Sequence, residues 1–140
     1  MRTYFLMGIL LSALSVSAQN KIIVAQDGSG DFKTVQDAMN AIHSGNNQPV
    51  TVYVRNGVYK EVVVVDATKG FINLVGEDKD STILTYDNHA GTSLSNGDTL
   101  NTWTCASFFV YGNDFHAEHI TFQNTAGFTK RHSNNCFQCK

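Results

Sequence analysis

Residues 71–75 are Phe-Ile-Asn-Leu-Val, and two further short runs of the same kind follow, Ser-Phe-Phe-Val-Tyr at 107–111 and Ile-Thr-Phe-Gln-Asn at 120–124. Each run is rich in β-branched or aromatic residues and is followed by a turn that contains glycine or asparagine. A strand and a turn that recur in this way are typical of the stacked coils of a solenoid. Many short strands also fit a sandwich or a barrel, so the recurrence favours a solenoid without excluding those two architectures.

The same criteria predict strands along most of the chain, and this gives an all-β fold class. These strands are predicted at 22–25, 50–54, 58–65, 71–75, 82–86, 106–111 and 117–123. Between the strands at 82–86 and 106–111, residues 87–101 are polar, contain glycine and show no period, so they are predicted to form an exposed loop.

One helix is predicted near the start of the chain. Thr34 is a good N-cap, and Asp37 three residues later completes a pattern close to a capping box. Apolar residues then recur at helical spacing, at Val35, Ala38, Met39 and Ile42. Gly45 and Asn46 are expected to end the helix, which would cap the open end of a solenoid.

Composition and charge indicate a folded chain with no affinity for nucleic acid. Of the 140 residues, 42% are hydrophobic and 16% are charged, which is not a disordered composition. The formal net charge of -2 offers no basic field for a phosphate backbone. An acidic polysaccharide is not excluded, because a local groove can differ in charge from the whole molecule.

The first residues have the pattern of a secretory leader. Met1-Arg2 supply a positive start, Tyr4 to Leu14 form a short apolar run, and Val16-Ser17-Ala18 place small residues before Gln19. A membrane anchor and a buried strand are the alternatives, but the run is short for a bilayer span. We expect a signal peptide over 1–18 with cleavage after Ala18, a secreted or periplasmic product, and no membrane segment in the mature chain.

A set of ordered motifs resembles the pectin methylesterase (pectinesterase) family. The matching stretches are Val24–Gln36 with its Asp-Gly-Ser-Gly-Asp turn, Asn56–Glu61 with Gly-x-Tyr-x-Glu, Leu74–Glu77 followed by Ser81–Leu84, Cys105–Phe108, and Asp114–Gly127. Each stretch alone is weak, but together and in order they are specific. The resemblance implies a right-handed parallel β-helix, single-stranded and pectin-lyase-like, of which this chain supplies the N-terminal coils with one capping helix.

The resemblance also implies the chemistry and the partner. Members of the family hydrolyse methyl esters on the galacturonate units of pectin, here methyl-esterified homogalacturonan. One aspartate attacks the ester carbonyl, and a second protonates the departing methanol and later activates water. Glutamine side chains stabilise the oxyanion, and an arginine orients the nucleophile. No metal or organic cofactor is expected, and the protein is expected to be a monomer.

By this resemblance the catalytic residues follow the stretch that ends at Gly127, and they are expected downstream of Lys140. No catalytic residue is therefore assigned within the 140 residues, and the chain as given is expected to be truncated and inactive. Residues 19–127 are interpreted as the N-terminal part of the β-helix domain. Residues 128–140 lack strand alternation and are interpreted as an aberrant tail, with a frameshift as the hypothesis.

Thr102 is the one substrate-binding residue that the resemblance assigns. It lies three residues before Cys105, where the family has a threonine that contacts the sugar chain. The alternative is a solvent-facing strand residue without a role. The neighbouring Trp103 is expected either to stack on a sugar face or to pack in the core.

Three other patterns suggest metal sites, and each has a simpler explanation. His116 and His119 flank Glu118, but on one strand they would point to opposite faces. His132 with Cys136 and Cys139 resembles a zinc set in the aberrant tail. The turn at 27–31 resembles part of a calcium loop but lacks the later glutamate. No metal site is predicted, and Cys105 is interpreted as a small core residue.

Two alternative functions stay open at this point. The chain could be a non-catalytic pectin-binding β-helix module that uses Thr102, Trp103 and the loop at 87–101. It could also be a fragment of another pectinolytic β-helix enzyme, such as a lyase, although the calcium carboxylates and the basic residue of a lyase find no place here.

Overall fold

The computed structural model describes residues 20–126 and the backbone of residues 138–139. The one helix in this part of the chain is α1 (Val35–Ala41). The strands are β1 (Asn20–Val24), β2 (Val50–Val54), β3 (Gly57–Lys60), β4 (Val63–Val65), β5 (Ile72–Gly76), β6 (Thr82–Tyr86), β7 (Phe108–Val110), β8 (Phe115–Glu118), β9 (Thr121–Asn124) and β10 (Gln138–Cys139).

The strands form three parallel sheets, and successive strands after β1 enter the sheets in a fixed rotation. Sheet A has the order β1-β2-β5-β8, sheet B has β3-β6-β9, and sheet C has β4-β7-β10. All paired strands are parallel. The chain therefore winds through A, B and C and returns one level further along, which is a parallel β-helix. The solenoid prediction is confirmed, and the sandwich and barrel alternatives are wrong.

Two predicted strands were wrong in extent because each contains a corner of the coil. The run at 58–65 divides into β3 and β4 at Glu61 and Val62, and the run at 117–123 divides into β8 and β9. At the second corner, His119 has a φ of 54°, in the left-handed region that breaks an extended strand. A continuous run of strand-forming residues does not reveal where a coil turns, because residues on both sides of the corner favour extended backbone.

The core is a column of inward-facing side chains that stack in register. Val52 pairs with Leu74 in sheet A, Tyr59 with Leu84 in sheet B, and Val65 with Val110 in sheet C. All of these belong to one cluster of buried residues. Fully burying a valine or leucine stabilises a fold by about 1.5–3 kcal/mol, so this column is the main source of stability.

Helix α1 covers the first strands of the stack, as predicted. Thr34 is the N-cap, and its Oγ1 accepts a hydrogen bond from the backbone N–H of Asp37 at 3.1 Å. Val35, Ala38 and Met39 are buried, and the helix packs on β1 and β4, each of which ends its own sheet. The helix is shorter than expected: it ends at Ala41 because Ile42 adopts extended backbone, so Gly45 and Asn46 lie in the following loop.

Some sequence predictions fall outside the described residues. The leader at 1–18 is one of these, and so is the tail from residue 128 to Lys140, apart from the backbone of 138–139. The interpretation of this tail as aberrant therefore stays a prediction. Within residues 20–126, no helix has the length and apolar character needed to cross a bilayer.

Candidate functional site

The candidate site is the loop between β6 and β7, which lies beside the outer face of sheet B. Most of residues 87–104 are exposed, as predicted for 87–101, and a single antiparallel bridge between Ser93 and Thr99 closes the tip. We call residues 87–104 the β6–β7 loop. Its base and its last turn are fixed by separate sets of hydrogen bonds.

Two side chains from sheet B hold the base of the β6–β7 loop. Lys60 Nζ on β3 lies 3.1 Å from Asp87 Oδ2, and Asn124 Nδ2 on β9 donates to the Asn88 carbonyl at 2.9 Å. The hydrogen bond from Lys60 lowers the pKa of Asp87, so this carboxylate is ionised at neutral pH. The first residues of the loop are thereby attached to two levels of the coil.

Thr102 and Trp103 lie in the turn that ends the loop, at residues 101–104. Both side chains are exposed, and Trp103 is 70% exposed. The expectation that Trp103 could pack in the core is therefore wrong, and Thr102 is a turn residue rather than a solvent-facing strand residue. An exposed indole next to a hydroxyl can stack on the apolar face of a sugar ring while the hydroxyl forms a hydrogen bond.

Cys105 anchors the chain directly after this turn. It is fully buried, as expected for a core residue, and it is disulfide-bonded, which the sequence interpretation missed. Cys105 and Ala106 form a small cluster with Ala90, Leu100 and Phe109. The cluster attaches both arms of the β6–β7 loop to sheet C through Phe109.

The outer face of sheet B carries a row of polar side chains next to the loop. Tyr59 and Leu84 point into the core, so their neighbours Lys60 and Thr85 lie on the outer face, where Thr85 is buried and Lys60 is exposed. Gln123 continues this row on β9. The Lys60 ammonium also lies 6.0 Å from the centre of the Tyr86 ring. The exposed members of the row offer hydrogen-bonding groups along the coil axis.

The acidic residues near the N-terminal turn act as structural braces. Asp27 Oδ1 accepts from the Ser29 backbone and hydroxyl at 2.9 and 2.6 Å, Asp31 Oδ2 from Ile23 N at 2.8 Å, and Glu77 Oε2 from Asn56 N at 2.9 Å. Asp27 and Glu77 line a polar pocket of about 380 Å³. Each of these two carboxylates has one oxygen that accepts from a backbone N–H group, so we interpret both residues as turn braces.

The histidine pattern at 116–119 is not arranged as the sequence suggested. His116 and Glu118 lie on β8, with Nε2 and Oε2 3.7 Å apart, whereas His119 lies beyond the end of β8 at the corner. Between Asn20 and Ala126, no three potential metal ligands converge. The set formed by His132, Cys136 and Cys139 lies outside the residues whose side chains are described.

The assignment of the catalytic residues stays a prediction. No catalytic residue is assigned from the sequence within the 140 residues, and Lys140 lies outside the described residues. The described part of the chain contributes the β6–β7 loop and the outer face of sheet B to the candidate site.

The fold and the anchored loop define a parallel β-helix protein with an exposed polar loop beside one of its sheets. The Pectinesterase family model matches residues 21–136, and the chain belongs to this family. The family match favours the esterase over the lyase alternative.

Curated relatives and solved structures agree with this assignment. The chain is 41% identical over 106 residues to pectinesterase/pectinesterase inhibitor 18 of Arabidopsis thaliana, covering 76% of the chain and 18% of that relative. It is 38% identical over 107 residues to pectinesterase 31 of the same plant, covering 74% and 34%. Pectin methylesterase from carrot superposes with a TM-score of 0.66 at 37% identity, over 81% of this chain and 33% of the carrot chain.

A second solved structure is a pectin methylesterase in complex with a hexasaccharide. It superposes with a TM-score of 0.67 at 26% identity, over 74% of this chain and 30% of that chain. The chain thus spans only a fraction of its relatives' length, for example 16% of putative pectinesterase/pectinesterase inhibitor 28 and 36% of probable pectinesterase 56 of Arabidopsis thaliana.

Proposed function

We propose that this chain forms the N-terminal coils of an enzyme that hydrolyses galacturonate methyl esters in pectin. The observation that carries the proposal is the family match over residues 21–136, on a chain that winds through three sheets in a fixed rotation. A related pectin methylesterase binds a hexasaccharide, which supports an extended sugar chain as the substrate class.

Within this proposal the described residues bind substrate and do not break bonds. Trp103 offers an exposed indole, and Thr102 offers a hydroxyl beside it. The row of polar side chains on the outer face of sheet B lies next to the β6–β7 loop and continues along the coil axis. We propose that these residues supply binding contacts and that the two reacting aspartates expected from the resemblance belong to other coils of the enzyme.

We also propose that the protein is made with a signal peptide, is released after cleavage behind Ala18 and is a monomer. The positive start, the apolar run and the small residues before Gln19 support the leader. Mass spectrometry of the secreted protein would show a mature N-terminus at Gln19. A secreted product that retains residues 1–18 would contradict the cleavage site.

A chimera tests the proposed function directly. Residues 20–126 replace the matching coils of carrot pectin methylesterase, and methanol release from methyl-esterified pectin is measured. We expect activity, and we expect Thr102→Ala and Trp103→Ala to raise KM by about fivefold each, as for the loss of one binding contact. Ser95→Ala, an exposed change elsewhere in the same loop, is the matched control.

The outcomes separate the proposed function from its alternatives. A folded chimera that neither binds pectin nor releases methanol would overturn the proposal. A chimera that binds pectin without methanol release would favour the non-catalytic binding module. Methanol release by the pure 140-residue chain would show that the assignment of the catalytic residues to later coils is wrong.

A further inference from the structure

We propose that Asn101 is a positioning residue that fixes Trp103 and Thr102 for sugar binding. This inference rests on the proposed function. Asn101 begins the four-residue turn in which Thr102 and Trp103 lie, and its own side chain points back into that turn. No motif in the sequence singled it out.

The Asn101 side chain accepts the backbone donors of the turn. Its Oδ1 accepts from Trp103 N at 2.8 Å and from Thr104 N at 3.1 Å. The Asn101 backbone N–H donates to Thr104 Oγ1 at 2.9 Å, so the first and last residues of the turn hold each other. The backbone N–H of Trp103 is thus bonded directly to the Asn101 side chain.

The residues on both sides of the turn are fixed independently. Leu100 N donates to Thr92 O at 2.8 Å, and the Leu100 carbonyl accepts from Gly91 N at 2.7 Å. Cys105 is fully buried on the other side. With both ends attached, the hydrogen bonds of Asn101 decide whether the exposed residues between them have one conformation or many.

A fixed indole binds sugar better than a mobile one. Ordering an exposed aromatic side chain and its backbone on binding costs free energy, and a site that is ordered beforehand avoids this cost. Trp103 is 70% exposed and gains little packing from its neighbours, so the turn is its main source of order. We therefore expect loss of the Asn101 acceptor to weaken sugar binding without removing any group that touches sugar.

The experiment uses the intrinsic fluorescence of the full chain, because Trp103 is its single tryptophan. Steady-state anisotropy measures the order of the indole, and titration with a fully methyl-esterified homogalacturonan hexamer measures binding. Asn101→Ala removes the acceptor. Asn101→Asp retains an Oδ oxygen in the same place, and the neutral hexamer avoids repulsion by the added charge. Asn96→Ala is the control, because Asn96 Oδ1 accepts from Asp98 N at 3.1 Å in the same loop but away from Trp103.

We expect Asn101→Ala to lower the anisotropy and to weaken hexamer binding about fivefold, because the N–H groups of Trp103 and Thr104 both lose their side-chain acceptor. Asn101→Asp should restore both quantities to within about twofold of the unmodified chain, and Asn96→Ala should change neither. If Asn101→Ala leaves anisotropy and affinity unchanged while Trp103→Ala abolishes binding, the positioning role is wrong and the proposed function stands.

The two proposals can fail separately. If the unmodified chain and the chimera with the carrot enzyme both fail to bind the hexamer, the proposed function fails. The anisotropy of the Asn101 variants then still tests whether this residue orders Trp103. Equal anisotropy in the Asn101→Ala and Asn101→Asp variants would overturn the proposal that Asn101 orders Trp103.

Discussion

Glu61 accepts a hydrogen bond from the backbone N–H of Val35, with Oε1 2.9 Å from the nitrogen, although the two residues are 26 positions apart. Its second oxygen, Oε2, accepts from Gln36 N at 2.9 Å. The glutamate of the Gly-x-Tyr-x-Glu motif thus binds the first two N–H groups of helix α1. Glu61 lies at the corner between β3 and β4, and its side chain connects the first full coil to the capping helix α1.

The first prediction concerns this carboxylate. Glu61→Gln keeps the shape of the side chain but leaves one acceptor oxygen and no charge at the helix N-terminus. Because charged hydrogen bonds to a partly buried helix end are stronger than neutral ones, the free energy of unfolding should fall by about 2 kcal/mol. Urea denaturation measures the loss. Asp80→Asn, at a side chain that is 80% exposed, should cost much less, and equal losses would contradict the capping role.

The second prediction concerns the other end of the same helix. Lys69 Nζ donates to the carbonyls of Met39 at 2.7 Å and Asn40 at 3.0 Å, where the helix dipole favours positive charge. Lys69→Met keeps the apolar stem and removes the donor, so we expect a loss of about 1 kcal/mol. Lys79→Met is the control, because the Lys79 side chain is 71% exposed and its ammonium lies 3.9 Å from Asp80. A loss at Lys79 as large as at Lys69 would contradict the prediction.

The helix and most strands could be predicted from the sequence, but the contacts that join them could not. Thr34 and Asp37 mark the helix start because their interaction is local. The bond from Glu61 to Val35 has no local signal, since Glu61 lies within an apparently continuous strand. The corner at His119 was missed for a similar reason, because a positive φ at a non-glycine residue is imposed by the stack rather than by its own side chain.

The candidate site was predicted only in part. Thr102 was assigned through the resemblance, and the loop through its polarity, both of which are local features. The exposure of Trp103 was left open, because an aromatic residue fits a core or a surface equally well by type. The anchors Lys60–Asp87 and Asn124–Asn88 join residues 27 and 36 positions apart, so only the three-dimensional arrangement reveals them.

The third prediction is a loss of stability in acid. Three carboxylates have a pKa lowered from the ordinary value of 3.8, chiefly by side-chain hydrogen bonds: Asp27 from Ser29, Asp66 from Thr68 and Asp87 from Lys60. A group whose folded pKa is depressed stabilises the fold above its unfolded pKa. This contribution is lost as the pH falls below 3.8 and through the folded pKa.

The stabilisation that these three carboxylates supply should therefore be constant near neutral pH and decrease on acidification below pH 3.8. Urea midpoints across this range measure the decrease. The triple change of Asp27, Asp66 and Asp87 to Asn should make the decrease of the urea midpoint with falling pH shallower. The control Asp80→Asn should leave this decrease unchanged. A triple variant with an unchanged pH dependence would show that these hydrogen bonds do not control acid stability.

The last prediction concerns the close contact between Gly76 and the corner at His119. A Cβ at Gly76 would collide with the carbonyl oxygen of His119, and backbone of a neighbouring coil cannot move aside as a flexible side chain can. Gly97 offers a matched control, because its φ of 87° strains an alanine while nothing lies within 4 Å of the added carbon. Gly76→Ala should therefore destabilise the fold by at least about 3 kcal/mol, against about 1 kcal/mol for Gly97→Ala. Urea denaturation of both variants gives the comparison. A smaller loss of unfolding free energy at Gly76 than at Gly97 would mean that strand β5 and the corner after β8 are not packed as closely as the structure shows.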